Sequence, residues 1–267
     1  MLLYYIEKLQ ALGQLSFTLD QAIKDLNTTS DSVISAAYRL KKKGKLISPA
    51  KGFYVIIPAG EQQFGSLPAE DLVPLLAEYH GFNYYACLLT AAMHYGAAHQ
   101  RPAVFQIFID RRQKKRLKFG KVFIECFYKK DLNKLPTKNF QVRTGYLKVA
   151  TPEVTVMDLL NNPHKSGGLN NIGTIISELI ESIDPIKILL LAKQSPHTTW
   201  LQRFGYVLEK LEPDDFSAKQ RIINALESYM HLESLTYIPL APDMPTVGCP
   251  QSAKWKIIEN TTLESDV

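Results

Sequence analysis

The first sixty residues carry the pattern that most limits what this chain can fold into. Apolar residues recur there at steps of three and four in three successive short stretches, which predicts three amphipathic helices. Thr18 can cap the second helix, and either Thr29 or Ser30 the third, because a hydroxyl accepts a hydrogen bond from a free amide of the first turn. Two short helices joined by a tight polar turn are typical of a helix-turn-helix. The predicted helices cover residues 2–12, 19–26 and 30–43.

The segment that follows the third helix has the pattern of a β-hairpin. Residues 45–48 and 53–57 are short runs on either side of a turn that contains Pro49, Lys51 and Gly52. A hairpin directly after a third helix is the element order of a winged helix. We therefore predict a winged helix-turn-helix DNA-binding domain over residues 1–60, with Lys51 near the tip of its wing.

The third helix is predicted to have one apolar and one basic side. On a helical wheel Val33, Ala37 and Leu40 share the apolar side, and polar and basic residues lie opposite. Guanidinium can pair with guanine edges, while hydroxyl and ammonium groups bind phosphates. Two alternatives stay open: lysines are favourable at the C-terminal end of any helix, and some winged helices bind protein or RNA instead of DNA. The predicted DNA contacts are Ser32, Ser35, Tyr38, Arg39, Lys42 and Lys43 on the helix and Lys51 in the wing.

The middle of the chain is strongly basic. Residues 101–150 contain fourteen Lys or Arg against three acidic residues, whereas the net charge of the whole chain is only +5. A second region could therefore face phosphate. The predicted second basic surface consists of Arg111, Arg112, Lys114, Lys115, Arg116 and Lys118.

Residues 66–267 are predicted to form a larger second domain. Apolar runs predict strands, the Thr151-Pro152-Glu153 sequence predicts the start of a helix, and helical patterns dominate over residues 172–229. The fold class is therefore α+β: an N-terminal winged helix-turn-helix followed by a mixed α/β body that becomes mainly helical toward the C-terminus. The predicted strands cover residues 103–109, 121–127, 138–142 and 145–149, and the earlier helices residues 70–78, 84–96 and 152–160.

Several motifs follow one another along the body. They are the stretch from Tyr84-Tyr85 to His99-Gln100, Thr151 to Leu160, Gly167 to Asn171, Leu201 to Glu209, and Trp255-Lys256-Ile257. In this order they resemble the AbiEi family of antitoxins. This resemblance implies a repressor whose winged domain binds inverted repeats in its own promoter. It also implies that the body counters an AbiEii-like, nucleotidyltransferase-like toxin without a stable direct complex. The expected partners are thus double-stranded operator DNA and that toxin.

An enzyme is the alternative that the sequence leaves open. Asp110 and Glu125 beside a basic run resemble the acidic pair of a metal-dependent nuclease, but Cys126 and Phe127 stand where such a site would need a lysine. A nuclease or an RNA-binding factor that uses the basic segment is therefore the second reading. We expect no catalytic residue, metal site or cofactor, because the histidines and cysteines lack ligand spacing. The N-terminus lacks the pattern of a signal peptide, and no apolar run could span a bilayer, so a cytoplasmic protein is expected.

Overall fold

The computed structural model describes residues 1–98, 102–195, 197–212, 215–231 and 235–263. The fold is mixed α and β, which confirms the predicted class. Among the described residues no helix combines the length and the apolar character needed to cross a membrane.

The chain divides into two compact units, which are described separately below. The first contains Met1–Ala86, Ala103–Asn133 and Asn139–Lys148, and the second contains Cys87–Pro102, Lys134–Lys138 and Val149–Val267. Our predicted domains, residues 1–60 and 66–267, stay a prediction, because compactness in a folded chain is not the same property as independent folding.

The N-terminal part of the first unit, residues 1–57, is called the head. It contains three helices and a three-stranded antiparallel sheet with the strand order β1-β3-β2. The predicted helices and hairpin are confirmed, whereas the short strand β1 was not predicted. The elements are α1 (Leu2–Ala11), β1 (Ser16–Thr18), α2 (Leu19–Leu26), α3 (Ser30–Lys42), β2 (Leu46–Ala50) and β3 (Phe53–Ile56).

Local signals fix the start of α2 and the turn between α2 and α3 in the head. The Thr18 hydroxyl accepts a hydrogen bond from the Gln21 amide, and the Gln21 side chain accepts one from the Thr18 amide, which together form a capping box at the start of α2. Asn27 ends α2 in the left-handed conformation, at φ 46°. Thr29 then caps α3 through the amide of Ser32. The polar turn between α2 and α3 is therefore set by short-range hydrogen bonds.

The rest of the first unit contains one further helix and most of a six-stranded sheet. Its strand order is β6-β7-β5-β4-β9-β8, with β5 and β7 parallel and β4 and β6 antiparallel to their neighbours β5 and β7. β8 and β9 contain residues of both units. The elements are α4 (Ala69–His80), β4 (Tyr84–Ala86), β5 (Phe105–Ile109), β6 (Arg116–Phe119), β7 (Val122–Tyr128), β8 (Thr137–Val142) and β9 (Gly145–Ala150).

The predicted helix over residues 84–96 is wrong in its first half. Residues 84–86 form β4, which pairs with β5 in the register Tyr84↔Ile109, and the helix begins only at Leu88, which has a φ of 52°. All three residues of β4 are buried, so their sequence lacks the alternation that distinguishes a strand from a buried helix. Of the motif stretch that ends at Gln100, His99 and Gln100 lie outside the described residues.

The second unit is mainly helical, as predicted. Thr151 caps α6 through the amide of Val154, and Pro152 occupies its first turn, which confirms the predicted start of that helix. Three two-residue strands form a small sheet near the C-terminus. The elements are α5 (Leu88–His94), α6 (Pro152–Asn161), α7 (Gly168–Leu179), α8 (Pro185–Gln194), α9 (Thr199–Lys210), α10 (Phe216–Met230), β10 (Ile238–Pro239), β11 (Gln251–Ser252) and β12 (Ile257–Ile258).

Helix α9 holds the C-terminal segment of the second unit. Trp255 is fully buried and lies against the backbone of Gly205, and its indole N–H donates to Glu209 Oε2 at 2.6 Å. The buried amide of Gln202 and the guanidinium of Arg203 donate to backbone carbonyl oxygens of the same segment. Two motifs that are separated by about fifty residues in the sequence are therefore one packing unit.

We expect Gly205→Ala to lower the free energy of unfolding by about 1–3 kcal/mol, because a Cβ atom there would lie 2.1 Å from a ring carbon of Trp255. Gly173→Ala is the matched control: it is also a helical glycine, but its Cβ would lie 3.3 Å from the flexible end of Leu211. Urea unfolding of both variants checks this. Equal stability of the two would contradict the packing described for Trp255.

Candidate nucleic-acid interface

The apolar side of α3 is fixed in the core of the head. Val33 and Ala37 are 1% exposed and Leu40 is 9% exposed, and all three belong to a cluster contributed by α1, β1, α2, α3, β2 and β3. Because this side is buried, the rotation of α3 about its axis is set. The opposite side faces outward along the length of the helix.

All seven residues that we predicted as DNA contacts are exposed. Five of them lie in α3 on or beside its outward side, Lys43 follows directly as the C-cap, and Lys51 lies in the turn between β2 and β3. The Lys42 ammonium lies 4.8 Å from the centre of the Tyr38 ring, close enough for a cation–π contact. The Ser32 hydroxyl accepts a hydrogen bond from the capping hydroxyl of Thr29. The side chains with the right chemistry for a duplex are thus accessible together on one helix.

Asp31 and Ile34 are exposed residues of α3 that are not among the predicted contacts. Asp31 lies in the first turn on the outward side, and Ile34 is 45% exposed at its border. A carboxylate can accept a hydrogen bond from the amino group of cytosine, and an apolar side chain can contact the methyl group of thymine. Neither residue has a hydroxyl group or a positive charge, the two features that the predicted contacts share.

The second predicted surface is the basic segment of residues 111–118. It follows β5 and precedes β7 in the sequence, and it includes most of the edge strand β6. Arg112, Lys114, Lys115, Arg116 and Lys118 are exposed. Arg111 is different. Its guanidinium donates to the carbonyl oxygen of His80 at 3.0 Å and lies 4.7 Å from the centre of the Phe82 ring. Burial and the charge of Arg111 lower the pKa of His80, so its imidazole is neutral at pH 7.

Aromatic rings lie beneath several cations of the basic segment. Arg116 and Lys118 lie 5.9 Å and 5.2 Å from the centre of the Phe123 ring on β7. Arg112 lies 5.7 Å from the centre of the Tyr128 ring. Cations beside aromatic rings can bind phosphate groups, and such rings can stack against bases.

The two acidic residues considered for a nuclease do not meet. Glu125 of β7 lies opposite Gln106 of β5, and Asp110 comes four residues after Gln106. At about 3.3 Å per residue, Asp110 is therefore about 13 Å along the strand direction from Glu125. Asp110 accepts a hydrogen bond from Asn83, and Glu125 forms an ion pair with Arg116. The described residues contain no group of three His, Cys, Asp or Glu side chains that could hold a metal ion.

Nor does the thiol beside the basic segment have the properties of a nucleophile. Burial raises the pKa of Cys126 to about 11, against the opposing effect of a hydrogen bond with Gln113. The thiol is therefore protonated at neutral pH, and it is the thiolate that attacks electrophiles.

Comparison with known families identifies the middle of the chain. The family model described as the AbiEi antitoxin C-terminal domain matches residues 84–210. These residues form an AbiEi antitoxin C-terminal domain. The resemblance predicted from the motifs is thus confirmed over this range, whereas the motif of Trp255 to Ile257 lies beyond it. The matched range of the AbiEi domain ends with α9.

A solved structure of another protein has a fold similar to that of this chain. A crystal structure of the RV2827C protein from Mycobacterium tuberculosis matches with a TM-score of 0.64 and 17% identity, covering 95% of this chain and 89% of that chain. At this identity the likeness concerns the fold alone. A nucleotidyltransferase-like protein from Paracoccidioides brasiliensis matches with a TM-score of 0.33 and 14% identity, covering 60% and 86%, a score too low to carry an argument. No curated protein matches the chain.

We expect the exposed cations of α3 to contribute little to folding. Arg39→Ala and Lys42→Ala should each change the free energy of unfolding by less than about 0.5 kcal/mol, since both side chains are exposed. Leu40→Ala, on the buried side of the same helix, should lower it by about 2–5 kcal/mol. Thermal unfolding of the three variants checks this. A loss of stability in the charge variants as large as that of Leu40→Ala would contradict the outward placement.

Proposed function

We propose that this protein is a DNA-binding antitoxin that represses its own operon. The head binds double-stranded operator DNA through α3 and the wing, and the AbiEi domain counters a toxin encoded in the same operon. The observation that carries the proposal is the joint exposure of Ser35, Arg39 and Lys42 on a helix whose other side is locked in the core. The AbiEi domain supports the antitoxin role.

Each group of the interface has a distinct task in this proposal. Arg39 pairs with a base edge in the major groove, where the guanidinium fork matches the two acceptors of guanine. Ser32, Ser35, Tyr38, Lys42 and Lys43 bind phosphates or base edges beside it. The wing places the ammonium group of Lys51 against the DNA backbone. These roles require no metal or cofactor, and we propose a regulator rather than an enzyme.

The proposed toxin partner is a nucleotidyltransferase-like protein of the AbiEii type, as the family resemblance implies. We propose that it is countered in the cytoplasm without a stable complex with the antitoxin. The contacts described above explain how the motif residues of α6 and α9 pack, since most of their side chains are buried. They assign no residue to the antitoxic activity.

We expect specific binding to a duplex from the region upstream of the chain's own gene. Arg39→Ala should weaken this binding by about 1–3 kcal/mol and relax the base preference at one position. Lys42→Ala should weaken specific and nonspecific duplexes alike and reduce the salt slope of log K by about 0.9, the value for one phosphate contact. Gel shifts over a range of salt concentrations measure both effects.

The matched control for these variants is Lys187→Ala, which removes an exposed lysine of the second unit. Its affinity and salt slope should equal those of the wild type. If wild-type protein gives no specific band with its upstream DNA, the proposed function is wrong.

A second candidate function is favoured by the cations and rings of the basic segment. The exposed Lys114 and Lys115 beside Arg116 and Phe123 would suit an RNA strand, whose phosphates meet the cations and whose bases stack on the ring. Under this reading Lys114→Ala/Lys115→Ala should weaken RNA binding by at least about tenfold, while Arg39→Ala/Lys42→Ala leaves it unchanged. Fluorescence anisotropy with a labelled single-stranded RNA distinguishes the two. Equal effects of both pairs, or no RNA binding, would reject this candidate.

A further inference from the structure

One tyrosine of α4 holds the turn of the wing. The Tyr79 hydroxyl donates a hydrogen bond to the backbone carbonyl oxygen of Lys51 at 2.8 Å. Its ring stacks on Phe53, the first residue of β3, with the ring centres 4.3 Å apart and the planes 14° apart. A single side chain therefore contacts the chain on both sides of Gly52, although it comes from outside the head.

The same turn is also held from the side of α2. The backbone amide of Leu19 donates to the carbonyl oxygen of Gly52 at 2.8 Å. Gly52 has a φ of 75°, and a Cβ atom built on it would lie 3.8 Å from both the Tyr79 hydroxyl and Leu19 Cβ. The carbonyls of two successive turn residues, Lys51 and Gly52, thus accept hydrogen bonds from two different helices.

Helix α4 is itself firmly placed within the first unit. Asp71, which is 3% exposed, accepts hydrogen bonds from the backbone amide and the Nε of Arg143 at 3.0 Å and 2.7 Å. Arg143 also donates to Glu61 at 3.0 Å, and Leu72 and Val73 of the same helix are buried. Tyr79 is therefore presented by a rigid element, which is what a side chain needs in order to fix its neighbour.

We propose that Tyr79 is a positioning residue for DNA binding. By holding the Lys51 carbonyl it fixes the wing turn, and with it the place from which the Lys51 ammonium reaches the DNA backbone. Binding then loses less conformational entropy, because the turn is ordered before the duplex arrives. This inference rests on the proposed DNA-binding function and adds to it a residue outside the helix-turn-helix that determines affinity without touching the ligand.

The test is a double-mutant cycle with the full-length chain and its upstream duplex. Y79F removes the hydroxyl but keeps a ring that can stack on Phe53. It should weaken duplex binding about two- to tenfold, the equivalent of one hydrogen bond, and reduce the salt slope by up to about 0.9, as K51A does. In the K51A background Y79F should have no further effect, because the contact that it positions is already lost.

Y95F is the matched control, since the Tyr95 hydroxyl also donates to a backbone carbonyl oxygen at 2.8 Å, that of Ala150 in the second unit. It should bind the duplex with wild-type affinity and salt slope. Thermal unfolding verifies that each variant is folded. Should Y79F not fold, F53L, which removes the stacked ring from the wing side, takes its place in the cycle with the same expected result.

The outcomes separate this inference from the function on which it rests. If the wild type binds specifically and K51A lowers the salt slope, but Y79F binds like the wild type, the positioning role is overturned and the proposed function stands. Additive effects of Y79F and K51A overturn it as well, as does a K51A variant that binds like the wild type. If the wild type binds no duplex, the proposed function and this inference are both overturned.

Discussion

The burial of one side of α3 is the interaction on which the interface depends. Val33, Ala37 and Leu40 are inserted into the core of the head, so the helix cannot rotate without exposing them. The burial of these three residues thereby directs the cations on the other side toward solvent.

The head could be predicted in detail because its signals are local. Thr18 and Thr29 cap helices within three residues, and the hairpin of β2 and β3 closes around a turn of two residues. The six-stranded sheet was harder to predict, since its pairings join distant segments. β4 pairs with β5 although twenty residues separate Tyr84 from Phe105. The three residues of β4 are all buried, and no local pattern in them predicts that they pair with β5. The positive charge of the basic segment could be counted from the sequence. The hydrogen bond from Arg111 to the carbonyl oxygen of His80 could not be predicted from it.

The family motifs illustrate a related limit. They allowed the AbiEi domain to be recognised, yet the residues that carry them are mostly buried in α6 and α9. Buried residues of this kind fill a core and do not by themselves show what the surface over that core binds. The candidate interface lies instead on α3 and the turn between β2 and β3, outside the range matched by the AbiEi domain, and it is inferred from accessible side chains and their chemistry.

The seating of Trp255 on Gly205 bears on where the C-terminal domain ends. The range matched by the family model ends at residue 210, but α9 packs against Trp255, which lies more than forty residues further along the chain. A fragment cut at the family boundary would leave a bare glycine groove and several buried polar groups facing water. The range that the family model matches is therefore shorter than the unit that packs together in the structure.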